Sequence, residues 1–259
     1  MPKWAETGQV KIERADQHVR DLERRSVAFL KAPPYRLIFK KEPETGDTVY
    51  CWKRRASHPG IPLEWGAIAG DAIHNLRSAI DILWHQATAA TANRSRGTYF
   101  PFVGAEKLEA RLRRVKEPSL KAALQIARGF KPYQTGNEQL WLLHQASIMD
   151  KHQVPMIVVC VFEAGAFDIR PPSWWSEADL ILQGDLRFTD PALVEDGVEF
   201  ARTRYGQGLK FNKQIKPTFG IAFGKCGALQ GKPVLKTLRE FTSIANAIAE
   251  AFLRGGLIR

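Results

Sequence analysis

The stretch Gly70-Asp-Ala-Ile-His74-Asn-Leu-Arg77-Ser-Ala-Ile-Asp81-Ile-Leu-Trp-His85 decides how the rest of the chain is read. Around it, Trp65, Ala69, Ala72, Ile73, Leu76, Ile80, Leu83 and Ala87 form one apolar stripe, which predicts an amphipathic helix from about Leu63 to Thr88. At 1.5 Å per residue that helix spans on the order of 40 Å and needs neighbours on more than one side. The sequence holds two candidates. From Gly8 to Leu30, the positions Ile12, Ala15, Val19, Leu22, Ser26 and Phe29 alternate by three and four residues. Near the end of the chain, Val234, Leu238, Phe241, Ala245, Ile248 and Phe252 do the same, and Gly255-Gly256 is the expected stop. A lone amphipathic helix after a sheet must bury its stripe, so the last helix is expected to return and pack on the first two.

Between these helices the chain is punctuated by turn chemistry. Ala32-Pro33-Pro34 ends the first helix, and Tyr35–Lys40 and Thr48–Arg54 flank Pro43-Glu-Thr-Gly46-Asp47, which reads as a β-hairpin at 35–54. Asn93-Arg-Ser-Arg-Gly97 makes a loop, and Tyr99-Phe-Pro-Phe102 is a short apolar plug. Residues 105–128 read as helix broken at Pro118, and Asn137 can cap a helix from Glu138 to about Lys151. From Val154 the period changes to that of strands, first in Pro155–Phe162 and then near 178–183, 197–204 and 215–224. The fold class expected is α+β: a helical bundle with an inserted β-hairpin and a mainly antiparallel β-sheet. The bundle and hairpin occupy 1–154, the sheet region 155–231 and the returning helix 232–259, together as one unit without repeats or a flexible linker.

Composition narrows the classes further. With 44% apolar and 25% charged residues among 259, the chain is an ordinary folded protein. Its longest apolar run, Met156 to Phe162, is strand-sized, so no membrane partner is expected. The beginning Met-Pro-Lys-Trp-Ala-Glu lacks a secretory core, and Cys51, Cys160 and Cys226 are odd in number and far apart. The expected location is a reducing cytoplasm with free thiols. The formal charge is +11, carried by residues 1–59, 104–155 and 232–259 and not by the strand-rich region. Arg54 and Arg55, with Lys53, and Arg111, Arg113 and Arg114 are the candidate phosphate contacts. The alternative is that they make a solubilising surface, since acidic residues are interleaved among them.

Signatures of nucleotide, thiolate-metal and serine-hydrolase sites are absent: there is no Gly-x-Gly-x-x-Gly, Gly-Lys-Ser/Thr, Cys-x-x-Cys, His-Glu-x-x-His or Gly-x-Ser-x-Gly. Two places remain. At 100° per residue, His74, Arg77, Asp81 and His85 fall within about 80° of one another, opposite the apolar stripe. Four-residue spacings let Asp81 hold both Arg77 and His85, and His74 lies three residues before Arg77, a set suited to acid–base work beside a cation and expected to face a groove or partner. The competing reading is a solvated helix face with one ion pair. The second place is Leu140-Trp-Leu-Leu-His144-Gln-Ala-Ser-Ile-Met-Asp150-Lys151-His152, whose apolar residues lie all round the wheel, which makes its helix central and His144 partly buried. For His144 a satisfied core histidine is the competing reading, and the helix dipole by itself accounts for Lys151 and His152. Asp71/His74 and Asp81/His85 have chelating spacing, but Asp150-x-His152 does not supply the matching pair for a two-metal bundle, so no metal is expected.

Gly70-Asp71, His74-Asn-Leu-Arg-Ser-Ala-Ile-Asp81, Phe100-Pro-Phe102, Pro132-Tyr133 and Asp150-Lys-His152 occur here in an order that resembles a group of uncharacterised bacterial and phage-associated proteins, over about the first 155 residues. More distantly the chain resembles HEPN domains, helical bundles that often act as metal-independent ribonucleases in toxin and defence systems. Their motif sets a His four to six residues after an Arg, whereas seven residues separate Arg77 from His85 here. The resemblance implies RNA cleavage, with His74 and His85 as acid and base and Arg77 opposing transition-state charge. The function expected is therefore a cytoplasmic nucleic-acid-associated protein, RNA before DNA, in the form of a divergent HEPN-like ribonuclease. The alternative is a non-catalytic binding or protein-interaction module. No cofactor is expected, and a homodimer is admitted.

Overall fold

Three- and four-residue alternation becomes helix wherever it occurs. In the computed structural model, which describes residues 4–89, 99–150, 155, 157–163, 180–182, 192–194, 196–197, 199–203 and 218–258, the first such segment is α1 (Trp4–Leu30). The second is α2 (Glu64–Thr88) and the last is α6 (Val234–Arg254). α1 lies along α2, and α6 packs against both. Ile12 and Leu22 of α1, Ile73, Leu76, Ile80 and Leu83 of α2, and Phe241 and Phe252 of α6 are completely buried along this seam. Burying one such side chain contributes about 1.5–3 kcal/mol, so the seam sets which face of α2 remains for polar groups. Gly256, at φ 65°, adopts the left-handed conformation that ends α6 where the sequence expects it.

The middle helices follow their caps. α3 (Ala105–Arg114) stops before Pro118, which occupies the first turn of α4 (Pro118–Phe130). Glu117 caps α4 by accepting the Ser119 and Leu120 backbone N–H groups at 3.1 and 2.5 Å. Asn137 Oδ1 accepts the Leu140 N–H at 3.0 Å and opens α5 (Glu138–Asp150). α5 packs on α2 and α6 through Leu140, Leu142, Leu143 and Ala146, all buried, which is the central position that its apolar wheel implies.

The strands are β1 (Tyr35–Lys41), β2 (Thr48–Arg54), β3 (Ile157–Glu163), β4 (Leu180–Leu182), β5 (Ala192–Leu193), β6 (Glu199–Thr203) and β7 (Thr218–Phe223). All are antiparallel and divide between two sheets, ordered β1-β2-β6-β4 and β5-β3-β7. The sequence pattern groups the later strands into one sheet and leaves the hairpin with the bundle. Instead β2, buried throughout Thr48–Trp52, pairs with the distant β6 on its free side. A fully buried strand must satisfy both backbone edges, and its own hairpin partner supplies only one. Arg202 of β6 fastens the arrangement by ion-pairing with Glu42, with Asp47 at 3.3 Å and with Glu199 at 2.9 Å. Tyr35, Leu37, Trp52, Val194 and Phe219 join the two sheets, and β7 packs on α1 and α6. Among the described residues, no helix is long and apolar enough to cross a membrane.

Candidate functional site

The polar face of α2 is covered along one edge. Arg77 and Asp81, one helical turn apart, form an ion pair whose side chains are 14% and 19% exposed. The Asp81 carboxylate also accepts the Phe100 backbone N–H at 2.9 Å, which pins the 99–103 segment to α2. That segment is tightly wound: Phe102 N–H donates to the Phe100 carbonyl and Val103 N–H to the Pro101 carbonyl, both at 2.9 Å. Phe100 turns inward and meets Trp84 edge to face, with ring centroids 5.7 Å apart. Phe102 turns toward the cleft, where the Arg77 guanidinium carbon lies 4.5 Å from its ring centre.

α5 supplies the opposite wall. The His144 imidazole stacks on Phe102 with centroids 4.3 Å apart and planes within 9°. Ser147, buried one turn on, donates its hydroxyl to the His144 carbonyl at 2.8 Å. Ile148 and, from α3, Arg111 complete the rim. Together with Tyr99, these residues enclose a cleft of about 470 Å³. The charge inside is uneven. Arg77 is matched by Asp81, whereas Arg111 has no acidic partner among the described residues. Tyr99 as a residue is 69% exposed, on a backbone fixed at its very next residue.

The structure thus splits the row of four residues on α2. Arg77 and Asp81 face the cleft, but His74 and His85 are exposed and do not line it, contrary to the expectation that all four are covered. Along the helical arc Arg77 and Asp81 form one edge and His74 and His85 the other, and the 99–103 segment reaches only the first. His74 Nε2 lies 3.4 Å from the Ser78 hydroxyl. Asp81 does hold Arg77, and Phe100 supplies its second bond. In place of the two exposed imidazoles, the cleft receives His144 from the second cluster. Asp150 ends α5, with its side chain outside the described residues, as are Lys151 and His152.

The basic candidates also separate. Arg111 lines the cleft, while Arg113 and Arg114 are exposed on α3 and do not. Arg54 and Arg55 lie exposed at the end of β2, where Asp196 accepts the Arg54 backbone N–H at 2.7 Å and pairs with Lys53 at 2.8 Å. They belong to the sheet and are not part of the cleft. Sequence reasoning missed Tyr99 and Phe102 as site residues because an aromatic-rich segment reads as core. The signal was the mixture itself, two inward-capable Phe residues around Pro101 with Tyr at the solvent end. Among the described residues, no three His, Cys, Asp or Glu side chains come together as metal ligands. Compared with known protein families, characterised proteins and solved structures, the chain matches none.

Proposed function

We propose that this protein binds RNA and that the cleft between α2, the 99–103 segment, α3 and α5 is where it does so. The observation that carries the reading is the combination in one cleft of Arg111, a cation with no acidic partner among the described residues, with the exposed Tyr99 and the His144 imidazole. Phosphates need cations, and exposed bases need flat faces on which to stack. The +11 charge adds a long-range attraction for polyanions. A second reading, metal-independent cleavage, is favoured by the presence of an imidazole in the same cleft as two guanidinium groups. In that reaction His144 takes the proton of a ribose 2′-hydroxyl as its oxygen attacks the adjacent phosphorus. Water protonates the departing 5′-oxygen, and Arg111 opposes the charge on the phosphorane.

Incubation of the purified protein with total RNA in EDTA separates the readings. Retention that falls steeply with salt, without cleavage, supports binding. Cleavage abolished by His144→Ala and kept by His85→Ala supports the enzyme. Failure to retain RNA at low ionic strength ends both readings.

A further inference from the structure

We infer that the cleft is built for a single unpaired nucleotide, with Tyr99 as the platform on which the base stacks and Arg111 as the contact for its phosphate. The inference rests on the RNA reading and specifies the form of RNA that the site accepts. Four observations lead to it. First, the cleft encloses about 470 Å³, within the roughly 300–1,000 Å³ of small-molecule pockets and therefore the scale of one nucleotide. Second, its aromatic surface is divided by role. Phe100 is buried and Phe102 is already occupied on the His144 side, but Tyr99 has no ring partner among the described residues and is largely exposed.

Third, Tyr99 is exposed yet not loosely attached. The Asp81 bond to the next backbone N–H and the packing of Phe100 on Trp84 fix the main chain that carries it. A stacking platform gains from such pre-organisation, because little ordering remains to be done when the ligand arrives. Fourth, the two guanidinium groups differ in availability. Arg77 is neutralised by Asp81 and leans on Phe102, whereas Arg111 lines the cleft with no carboxylate partner among the described residues. Among the described residues, the cleft thus offers a flat face at Tyr99 and a cation without an acidic partner at Arg111, the minimum set for one base and one phosphate. Bases in a duplex are stacked on one another and cannot present a face to Tyr99, so single strands are selected over double strands.

The test uses the full chain and a fluorescein-labelled twelve-nucleotide RNA of mixed sequence, alone or annealed to its complement, with binding followed by anisotropy across a salt series. The single strand is expected to bind at least about tenfold more tightly than the duplex. Tyr99→Ala is expected to weaken single-strand binding by about 5- to 150-fold, the loss of one stacked base, while Tyr99→Phe stays within about twofold. Arg111→Ala is expected to flatten the slope of log K against log salt by about 0.7, one phosphate on a single strand, and Arg113→Ala to act less strongly. Tyr99 and Arg111 are exposed, so melting curves of these variants serve as the check on folding. Equal affinity for duplex, an unchanged Tyr99→Ala, or equal effects of Arg111→Ala and Arg113→Ala would place binding on the diffuse basic surface and overturn the inference together with the cleft as the binding place, leaving RNA binding itself intact. Absence of binding to either RNA overturns the RNA reading itself.

Discussion

Asp81→Ala tests the architecture of the cleft most directly, because one carboxylate makes contacts as dissimilar as an ion pair and a backbone hydrogen bond. It pairs with Arg77 within α2, and it accepts the Phe100 N–H across to a segment nineteen residues away. Truncation leaves a guanidinium that is 14% exposed without its counter-ion and a part-buried backbone N–H without its acceptor. A hydrogen bond to a charged acceptor is worth about 1.5–3 kcal/mol, and a solvent-exposed ion pair at this spacing only about 0.3–0.5. Both side chains are mostly but not wholly shielded, so the pair is worth more than the surface figure and less than a fully buried one. The sum expected is about 2–3 kcal/mol, or roughly 5–10 °C in melting temperature for a chain of this size.

Chemical denaturation of the wild type, Asp81→Ala, Asp81→Asn and Arg77→Met supplies the measurement. Asparagine retains an acceptor for Phe100 but loses the charge, so it should recover part of the loss. Arg77→Met removes the cation and lets the thioether pack on Phe102, so adding Asp81→Ala to it should cost less than Asp81→Ala alone. A loss below about 0.5 kcal/mol for Asp81→Ala, or strict additivity with Arg77→Met, would refute the reasoning and return this pair to a solvated helix face.

Three further outcomes follow from the packing and the titratable groups. Gly8→Ala should destabilise by about 0.5–2 kcal/mol in thermal melts, although Ala is the better helix former by about 1 kcal/mol, because its methyl group would lie 2.8 Å from Leu83 Cδ2 in the α1–α2 seam; a more stable variant would show that Leu83 yields freely. Burial and then the neighbouring Arg14 lower the pKa of His18 from its usual 6.5, so the folded state resists protonation and the unfolded chain takes up more protons in this range. Stability from this residue is therefore complete above about pH 6.5 and declines as pH falls toward the lower folded pKa; melts at pH 7.5 and 5 should show a smaller decline in His18→Gln, and an equal decline would contradict the assignment. Burial pushes the Cys160 thiol up to about 12 and Cys226 up to about 11, so native protein at pH 8 should react with a disulfide reagent far more slowly than denatured protein at these two positions; rapid native labelling of either would show that its burial is transient.

The helical part of this fold is legible because each of its signals is local. Pro118 and Glu117 mark the α3–α4 break, Asn137 marks the start of α5 and Gly256 the end of α6, and each acts within a few residues of its own position. The sheets are legible only as strands. Nothing near Thr48–Arg54 states that β6 is the second neighbour of β2, since the pairing depends on Arg202 meeting Glu42 and Asp47 across most of the chain. β5, two residues long, carries no period at all and exists through its bonds to β3.

The site divides along the same line. The Arg77–Asp81 pair is written in four-residue spacing, and the structure keeps it. Which histidine shares a cleft with that pair is not written there, because His74 and His85 satisfy the same helical arithmetic and differ from Arg77 and Asp81 only in what covers them. Coverage comes from Phe100, Phe102 and α5, and Asp81 recruits it by holding the Phe100 N–H. The same limit applies to Arg111, Arg113 and Arg114, which are equivalent as composition until the fold places α3 and only the first reaches the cleft. Under the proposed RNA reading, the +11 charge supplies a general attraction for a polyanion, whereas selectivity requires a cation and a fixed flat ring in one cleft. Asp81 bears on both: it neutralises Arg77, while Arg111 has no acidic partner among the described residues, and it anchors the backbone that carries Tyr99.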